Sequence, residues 1–392
     1  PDSMKLKVLR ESAQQFKVVQ QQLRRQDVGE LIVATDAARE GELLARWIMK
    51  MGKWNKPFKR LWISSQTDKA IKEGFASLKP GNQFDRLYES ARCRAEADWM
   101  IGLNVTRALT VKFGAQLSAG RVQTPTLGMI MDRENEIVHF RSEEYDTIKA
   151  DFGGFAAVWR GNNGDARIFD KSAAEALKRK LDGSSGRIAK VKKTEKVEPH
   201  PLAYDLTELQ RDANRRFGFS AKQTSNVLQR LYEQHKLVTY PRTDSRYLTS
   251  DMTGTLKERL ESVAIGPYAS LARPLLRKNL NITKRVVDDS KVSDHHAIIP
   301  TEETVLLNQL NTEERKLYDL IVRRFISLFY PPARYDAVAV TIDVEGESLY
   351  VKGTTIKESG WREVYGGDVS DESDEDSSAD TDAEESGAQL PV

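Results

Sequence analysis

The run Tyr240-Pro241-Arg242-Thr243-Asp244-Ser245-Arg246 places a phenol, two guanidiniums, two hydroxyls and a carboxylate within seven residues. A tyrosine oxygen becomes a covalent nucleophile when its neighbours lower the cost of forming the phenolate. Arg242 is spaced to do that, and also to hold a phosphate under attack. Pro241 biases Tyr240 away from the α region, so an extended segment or loop is expected there. The chain has twelve tyrosines, and an ordinary one is a half-buried packing residue with a satisfied hydroxyl. The run alone leaves both readings open.

A second chemistry is carried by Asp36, Glu40 and Glu42. Hard carboxylate oxygens suit Mg²⁺, which takes one or two carboxylates and keeps several waters. Acidic residues also favour a helix N-terminus through the macrodipole, with no metal involved. The elements around them are legible. Leu31-Ile32-Val33-Ala34-Thr35 reads as a short buried strand, and Leu43, Leu44, Trp47, Ile48 and Met51 recur at helical spacing. The carboxylates therefore fall between strand end and helix start, the crevice where open α/β sheets bind ligands.

Three further segments carry polar groups suited to nucleic acid. Gln116 to Thr126 places Ser118, Arg121 and Gln123 in a loop bounded by Gly114 and Pro125, able to cradle a phosphate or to be an ordinary turn. Arg94 and Asp98 lie four apart, which also fits a simple helix-surface ion pair. His295 and His296 follow Asp294 in a polar loop before Ala297-Ile298-Ile299-Pro300; an imidazole there can move a proton or offset phosphate charge, or have no role.

Taken together, five segments in order resemble a type IA DNA topoisomerase, closest to the bacterial topoisomerase III branch. They are Ala34 through Glu42, Arg94 with Asp98-Trp99, Leu117 through Pro125, the Tyr240 run, and Asp294 through Thr301. The resemblance implies Tyr240 as nucleophile with Arg242 and His295 beside it, and Mg²⁺ held by Asp36 and Glu40. It implies DNA contacts from Arg60, Arg94, Asp98, Ser118, Arg121 and Gln123. The activity implied is ATP-independent: single-strand cleavage through a 5′-phosphotyrosine link, strand passage and religation, relaxing negatively supercoiled DNA and unlinking catenanes. Implied partners are single-stranded and negatively supercoiled DNA, with a RecQ-type helicase as a candidate, acting on a monomer in the bacterial cytoplasm at the nucleoid. Two rivals stay open: a noncatalytic single-stranded DNA-binding fragment, and a metal-dependent Toprim nuclease or primase-type enzyme.

The family pattern is departed from in two places. Its Asp-x-Asp-x-Glu motif has Ala38 in the middle position here, and nothing before Leu31 matches its first strand with a catalytic glutamate and lysine. The chain therefore reads as an internal fragment of a longer enzyme.

The fold class expected is multidomain α/β plus α plus β, forming the toroid of the type IA enzymes. The divisions are a partial Toprim metal-binding domain at 1–80, a helical DNA-binding domain at 81–144 and a β-rich arch at 145–200. A helical domain carrying Tyr240 follows at 201–332, then a return of the arch at 333–367 and an acidic disordered linker at 368–392. On α-helical residues 81–141, Tyr88, Ala91, Ala95, Trp99 and Leu103 are expected to form one apolar face. Between Tyr145 and Lys196, alternation predicts antiparallel strands.

Composition narrows the class. A formal net charge of +2 conceals ten Asp and Glu with no Lys or Arg from Asp368 onward, which leaves +12 on the rest. A basic body of that kind fits a polyanion-binding protein. Cys93 is the only cysteine, which excludes an internal disulfide or a cysteine zinc cluster, and it is expected to be a small buried apolar residue. No apolar run approaches the roughly 18–20 residues that cross a bilayer.

Overall fold

The β-branched run that precedes the acidic cluster forms a strand, β1 (Leu31–Val33), reached from a helix, α1 (Ala13–Leu23), in a computed structural model that describes residues 4–366. The chain then turns into α2 (Arg39–Gly52) and returns as β2 (Phe58–Arg60), parallel to β1 with Val33 opposite Arg60. The helical crossover is what allows two parallel strands to neighbour each other. A helix, α3 (Asp68–Ala76), capped by the Thr67 hydroxyl, leads to β3 (Lys79–Pro80), antiparallel to β2. Val33, Ala45 and Met49 are buried beneath this sheet, with Trp54 and Phe58 packed on them.

Two longer helices follow, α4 (Asp85–Phe113) and α5 (Gln123–Val138). The expected apolar face of α4 is only partly packed. Ala91 is buried, whereas Trp99 is 56% exposed and Leu103 38%. Ala91, in the N-terminal part of the stripe, is its one buried member. Cys93 corrects the expectation of burial: it is exposed. It lies two positions past Ala91, roughly 200° round the helix from the packed side.

The second sheet has five strands: β4 (Lys149–Asp151), β5 (Ala156–Trp159), β6 (Arg187–Glu198), β7 (Ala333–Val344) and β8 (Glu347–Glu358). Their order is β4-β5-β8-β7-β6, all neighbours antiparallel, so segments far apart in sequence share one sheet. Glu345 and Gly346 both have positive φ, the backbone that a tight two-residue hairpin between β7 and β8 requires. Strands alone were expected up to Lys196, but α6 (Lys171–Leu181) intervenes. Asp170 caps it by accepting from the Ser172 and Ala173 N–H groups, and its Ala, Leu and Lys content favours the helix. Leu177 and Leu181 of α6 pack on the face formed by Val338, Val340, Ile342 and Val344.

The remaining helices are α7 (Leu206–Phe217), α8 (Ala221–Glu233), α9 (Leu256–Val263), α10 (Ala269–Leu276) and α11 (Thr312–Ser327). Asp205 and Ser220 cap α7 and α8 through their side chains. The described chain forms two compact units. One comprises residues up to Phe140, Ala203–Val263 and Ile282–Ile321; the other comprises Arg141–Leu202, Ala264–Asn281 and the chain from Val322. Residues 201–332, expected as one helical domain, are thus shared between both. The proposed acidic linker lies outside the described residues. No described helix is long and apolar enough to cross a membrane.

Candidate active site

Tyr240 sits just past the end of α8 on a segment with no regular structure, stitched along its length to the stretch that carries His295. Thr239 donates its N–H to the Ile299 carbonyl and its hydroxyl to the Ala297 carbonyl, and its oxygen accepts from the Ile299 N–H, each at 3.0 Å. Three residues past Tyr240, the Thr243 hydroxyl donates to the His295 carbonyl at 2.9 Å. Val238, Thr243, Ala297, Ile298 and Ile299 are buried, so these bonds are shielded from water. The two segments are consequently held in register on both sides of the phenol. The Tyr240 and His295 rings lie 4.0 Å apart between centroids at 32°, and Tyr232 of α8 meets Tyr240 edge-on at 5.7 Å.

Asp36 completes this group. His295 Nε2 is 3.8 Å from Asp36 Oδ1, an ion pair whenever the imidazole is protonated. Burial raises the Tyr240 pKa, and the Asp36 charge raises it further, against the lowering effect of Arg242. The expected influence of Arg242 is thus present, but it is outweighed, and the resting residue is a phenol. Arg242 itself is exposed and borders a small cleft with Pro241, Leu206 and Asn226. Two acids without an assigned role belong to the same group. Asp294 has its pKa raised by burial and by Asp244 and Asp36, against the opposing effect of His295. Their position inside the two motif runs was the available signal. His296 is pushed down to about 4 by burial, and is therefore neutral at neutral pH.

The acidic turn is built from below. Arg60 is wholly buried, with its guanidinium on Glu42 (3.0 Å) and donating to the carbonyls of Val33, Thr35, Asp36 and Leu61. The expectation that Arg60 contacts DNA is corrected on this geometry: all its donors point inward, and it supports the turn that carries Asp36. Glu42 is equally buried, held by Arg60 and by Arg46 (2.8 Å), so it is not open to a metal. Gly41 is required by close packing, since a Cβ there would lie 2.2 Å from the Asp36 carbonyl oxygen.

Asp36 and Glu40 remain exposed at the carboxyl end of β1 and the first turn of α2. Their donor set fits Mg²⁺ in kind, as two hard carboxylates with room for waters. No group of three acidic, histidine or cysteine side chains among the described residues is arranged to hold a metal ion, and Glu40 is engaged by Arg94 at 2.6 Å. A metal here would displace that contact. Ala38 stands at the N-cap of α2 with extended backbone and no side-chain cap. Ala38→Asp is expected to supply the cap and stabilise the protein by about 1 kcal/mol, typical of a capping side chain. Thermal unfolding without and with Mg²⁺ checks this: a rise without metal reports the cap, a further rise with it reports a third carboxylate, and an unchanged midpoint in both removes the cap assignment.

Along α4 the charges are arranged as cross-links. Arg94 reaches back to Glu40, and Asp98, one turn on, pairs with Arg121 through two hydrogen bonds of 2.5 and 3.2 Å. Asp98 is held below the usual carboxylate range by that hydrogen bond with Arg121. The loop before α5 lies against α4 through two threonines. Thr110 exchanges hydrogen bonds with the backbone of Leu117, and Thr106 with that of Ala119. Ser118, between these two anchors, is exposed, as are Arg121 and Gln123. The Gln123 side chain folds against Gly120. The threonine clasp was not visible beforehand, because mid-helix threonines carry no distinctive signal.

A family model described as DNA topoisomerase matches residues 82–391. DNA topoisomerase 3 of Bacillus cereus is 52% identical over 366 residues, covering 93% of this chain and 50% of that protein. The Bacillus subtilis DNA topoisomerase 3 is 51% identical over 376 residues, covering 96% and 51%. The chain thus spans about half the length of the curated relatives it matches. The solved full-length topoisomerase I from Thermotoga maritima shares the fold, with a TM-score of 0.69 at 24% identity over 92% of this chain and 58% of that one. With the family model matched over most of its length and relatives at about half identity, the chain belongs to the DNA topoisomerase family.

Proposed function

We propose that this chain carries the strand-cleaving centre of an ATP-independent type IA DNA topoisomerase, an isomerase. The observation that supports it best is the convergence of Tyr240, His295 and Asp36, drawn from segments far apart in sequence. In this reading Tyr240 Oη forms a bond to the phosphorus of a single-stranded DNA backbone, the P–O3′ bond breaks, and the 3′ oxygen leaves as a hydroxyl. Because the phenol is protonated at rest, its proton is lost as attack begins. Arg242 holds the phosphate and offsets its charge. His295 lies against the nucleophile, where its ring nitrogens can hold or move a proton.

Asp36 and Glu40 would hold Mg²⁺, which supplies positive charge for positioning the cleaved end for religation. Arg94, Ser118, Arg121 and Gln123 bind the strand beside the centre, mainly through phosphate, and Asp98 lies with them on the strand's path and holds the Arg121 guanidinium. Relaxation of negatively supercoiled DNA and unlinking of catenanes follow from passing another strand through the break. The protein would work as a monomer on bacterial nucleoid DNA, with a RecQ-type helicase as a partner that exposes single strands.

The test uses a single-stranded oligonucleotide labelled at its 3′ end. The protein should migrate with the label on a denaturing gel, since a 5′-phosphotyrosine link joins it to the downstream piece. Cleavage should persist in chelator, whereas Asp36→Ala with Glu40→Ala should mainly impair religation. Label found only in protein-free products would point instead to a nuclease. Suppression of cleavage by chelator as strong as that of relaxation would give the metal a part in the attack itself.

A further inference from the structure

We infer that the open face of the five-stranded sheet is a second binding surface for a polynucleotide backbone, separate from the Tyr240 centre. The inference rests on the reading of this chain as a DNA-acting enzyme.

A β-strand sends alternate side chains to opposite faces, so register sorts the residues of β6, β7 and β8. One face carries Val338, Val340, Ile342 and Val344 and is covered by α6. The other carries Ala337 and Ala339 along β7. Opposite Ala339 stand Lys192 of β6 and Lys352 of β8; opposite Ala337 stand Thr194 and Thr354. Lys190 and Lys196 extend the same row on β6, all four lysines being exposed. Lys193 and Lys357 are different, as both are bound to Asp336 on the covered side.

The outcome is a shallow trough floored at its centre by Ala337 and Ala339, with Thr341 and Tyr335 at the two ends of the floor, walled by lysine and threonine with Tyr350 and Ile356 at the ends of the β8 wall. Its walls stand two strand spacings apart, about 9–10 Å. Lys190 and Lys192 recur along one wall at about 6.8 Å. Small floor residues let a backbone approach closely, while ammonium and hydroxyl groups on both sides are the usual donors to phosphate oxygens. The ammonium and hydroxyl groups along the trough suit phosphate oxygens, so the recognition inferred is of the backbone and independent of sequence. A soluble sheet more often mixes both signs of charge on its solvent face. Here the acids on this face stand at its margins: Asp343 at the end of β7 beside Arg187, Glu198 at the end of β6, and Asp151 on the edge strand β4.

The test compares two charge-matched double variants of the protein, K192A/K352A on the trough and K171A/K178A on exposed positions of α6. Binding to a single-stranded oligonucleotide and to a duplex of the same sequence is followed over a range of salt. Loss of two phosphate contacts should reduce the slope of log K against log salt by about 1.4 for the single strand or about 1.8 for the duplex. The α6 variant should keep the wild-type slope, and both should form the tyrosine adduct at wild-type yield. A reduced slope for the trough variant on either DNA supports the inference and says which form is bound. Equal slopes for the two variants on both DNAs overturn it. Failure of the wild type to bind either DNA would overturn the functional reading along with it.

Discussion

Tyr240→Phe is expected to abolish the covalent DNA adduct while leaving single-stranded DNA binding within about twofold of wild type. Only one oxygen is lost, from a half-buried side chain whose ring contacts with Tyr232 and His295 survive. No neighbouring group can replace a phenolate as nucleophile: His295 lies beside it, but its imidazole is not positioned by a base of its own other than Asp36 at 3.8 Å. The adduct is read on a denaturing gel and binding by fluorescence anisotropy. Normal adduct yield in the Phe variant would remove Tyr240 from the mechanism, whatever the family pattern implies.

The second large effect is on stability. Arg60→Met should destabilise the protein by about 3 kcal/mol, the lower end of what removing one partner of a buried ion pair costs. The lower end applies because Arg46 continues to hold Glu42, and of the four carbonyls that lose the guanidinium, those of Val33 and Asp36 keep backbone donors from Leu61 and Ala38. A urea titration measures the loss. A second measurement separates support of the turn from contact with DNA. A phosphate contact would contribute about 0.7 to the salt slope for single-stranded DNA, so a folded Arg60→Met protein should retain the wild-type slope. A loss below 1 kcal/mol together with a reduced slope would return Arg60 to the DNA surface.

How far the sequence could be read differs between elements for physical reasons. The junction of β1 and α2 was legible because the apolar period changes from strand-like to helical across Thr35–Leu43. Arg60 was not: a guanidinium at a strand end looks the same in sequence whether it points to solvent or beneath a turn, and only the buried Glu42 decides. Trp99 shows the converse limit, since helical spacing defines a face without saying what covers it. The helix α6 was missed because flanking alternation was extended through a segment whose cap and alanines favour a helix. As for the site, the residue types were present in the motifs, but the approach of Asp36 to His295 depends on packing between distant segments.

The order of strands in the second sheet also bears on how the chain is made. Among the described strands β6 pairs with β7 alone, and β7 emerges from the ribosome roughly 130 residues after it. At about 5–20 residues per second, β6 spends on the order of ten seconds of synthesis without its partner. An unpaired strand is a template for association with other chains, and lysines are a common guard against that. The same lysines that wall the trough would keep the nascent strand apart from its neighbours on a polysome until its own hairpin arrives.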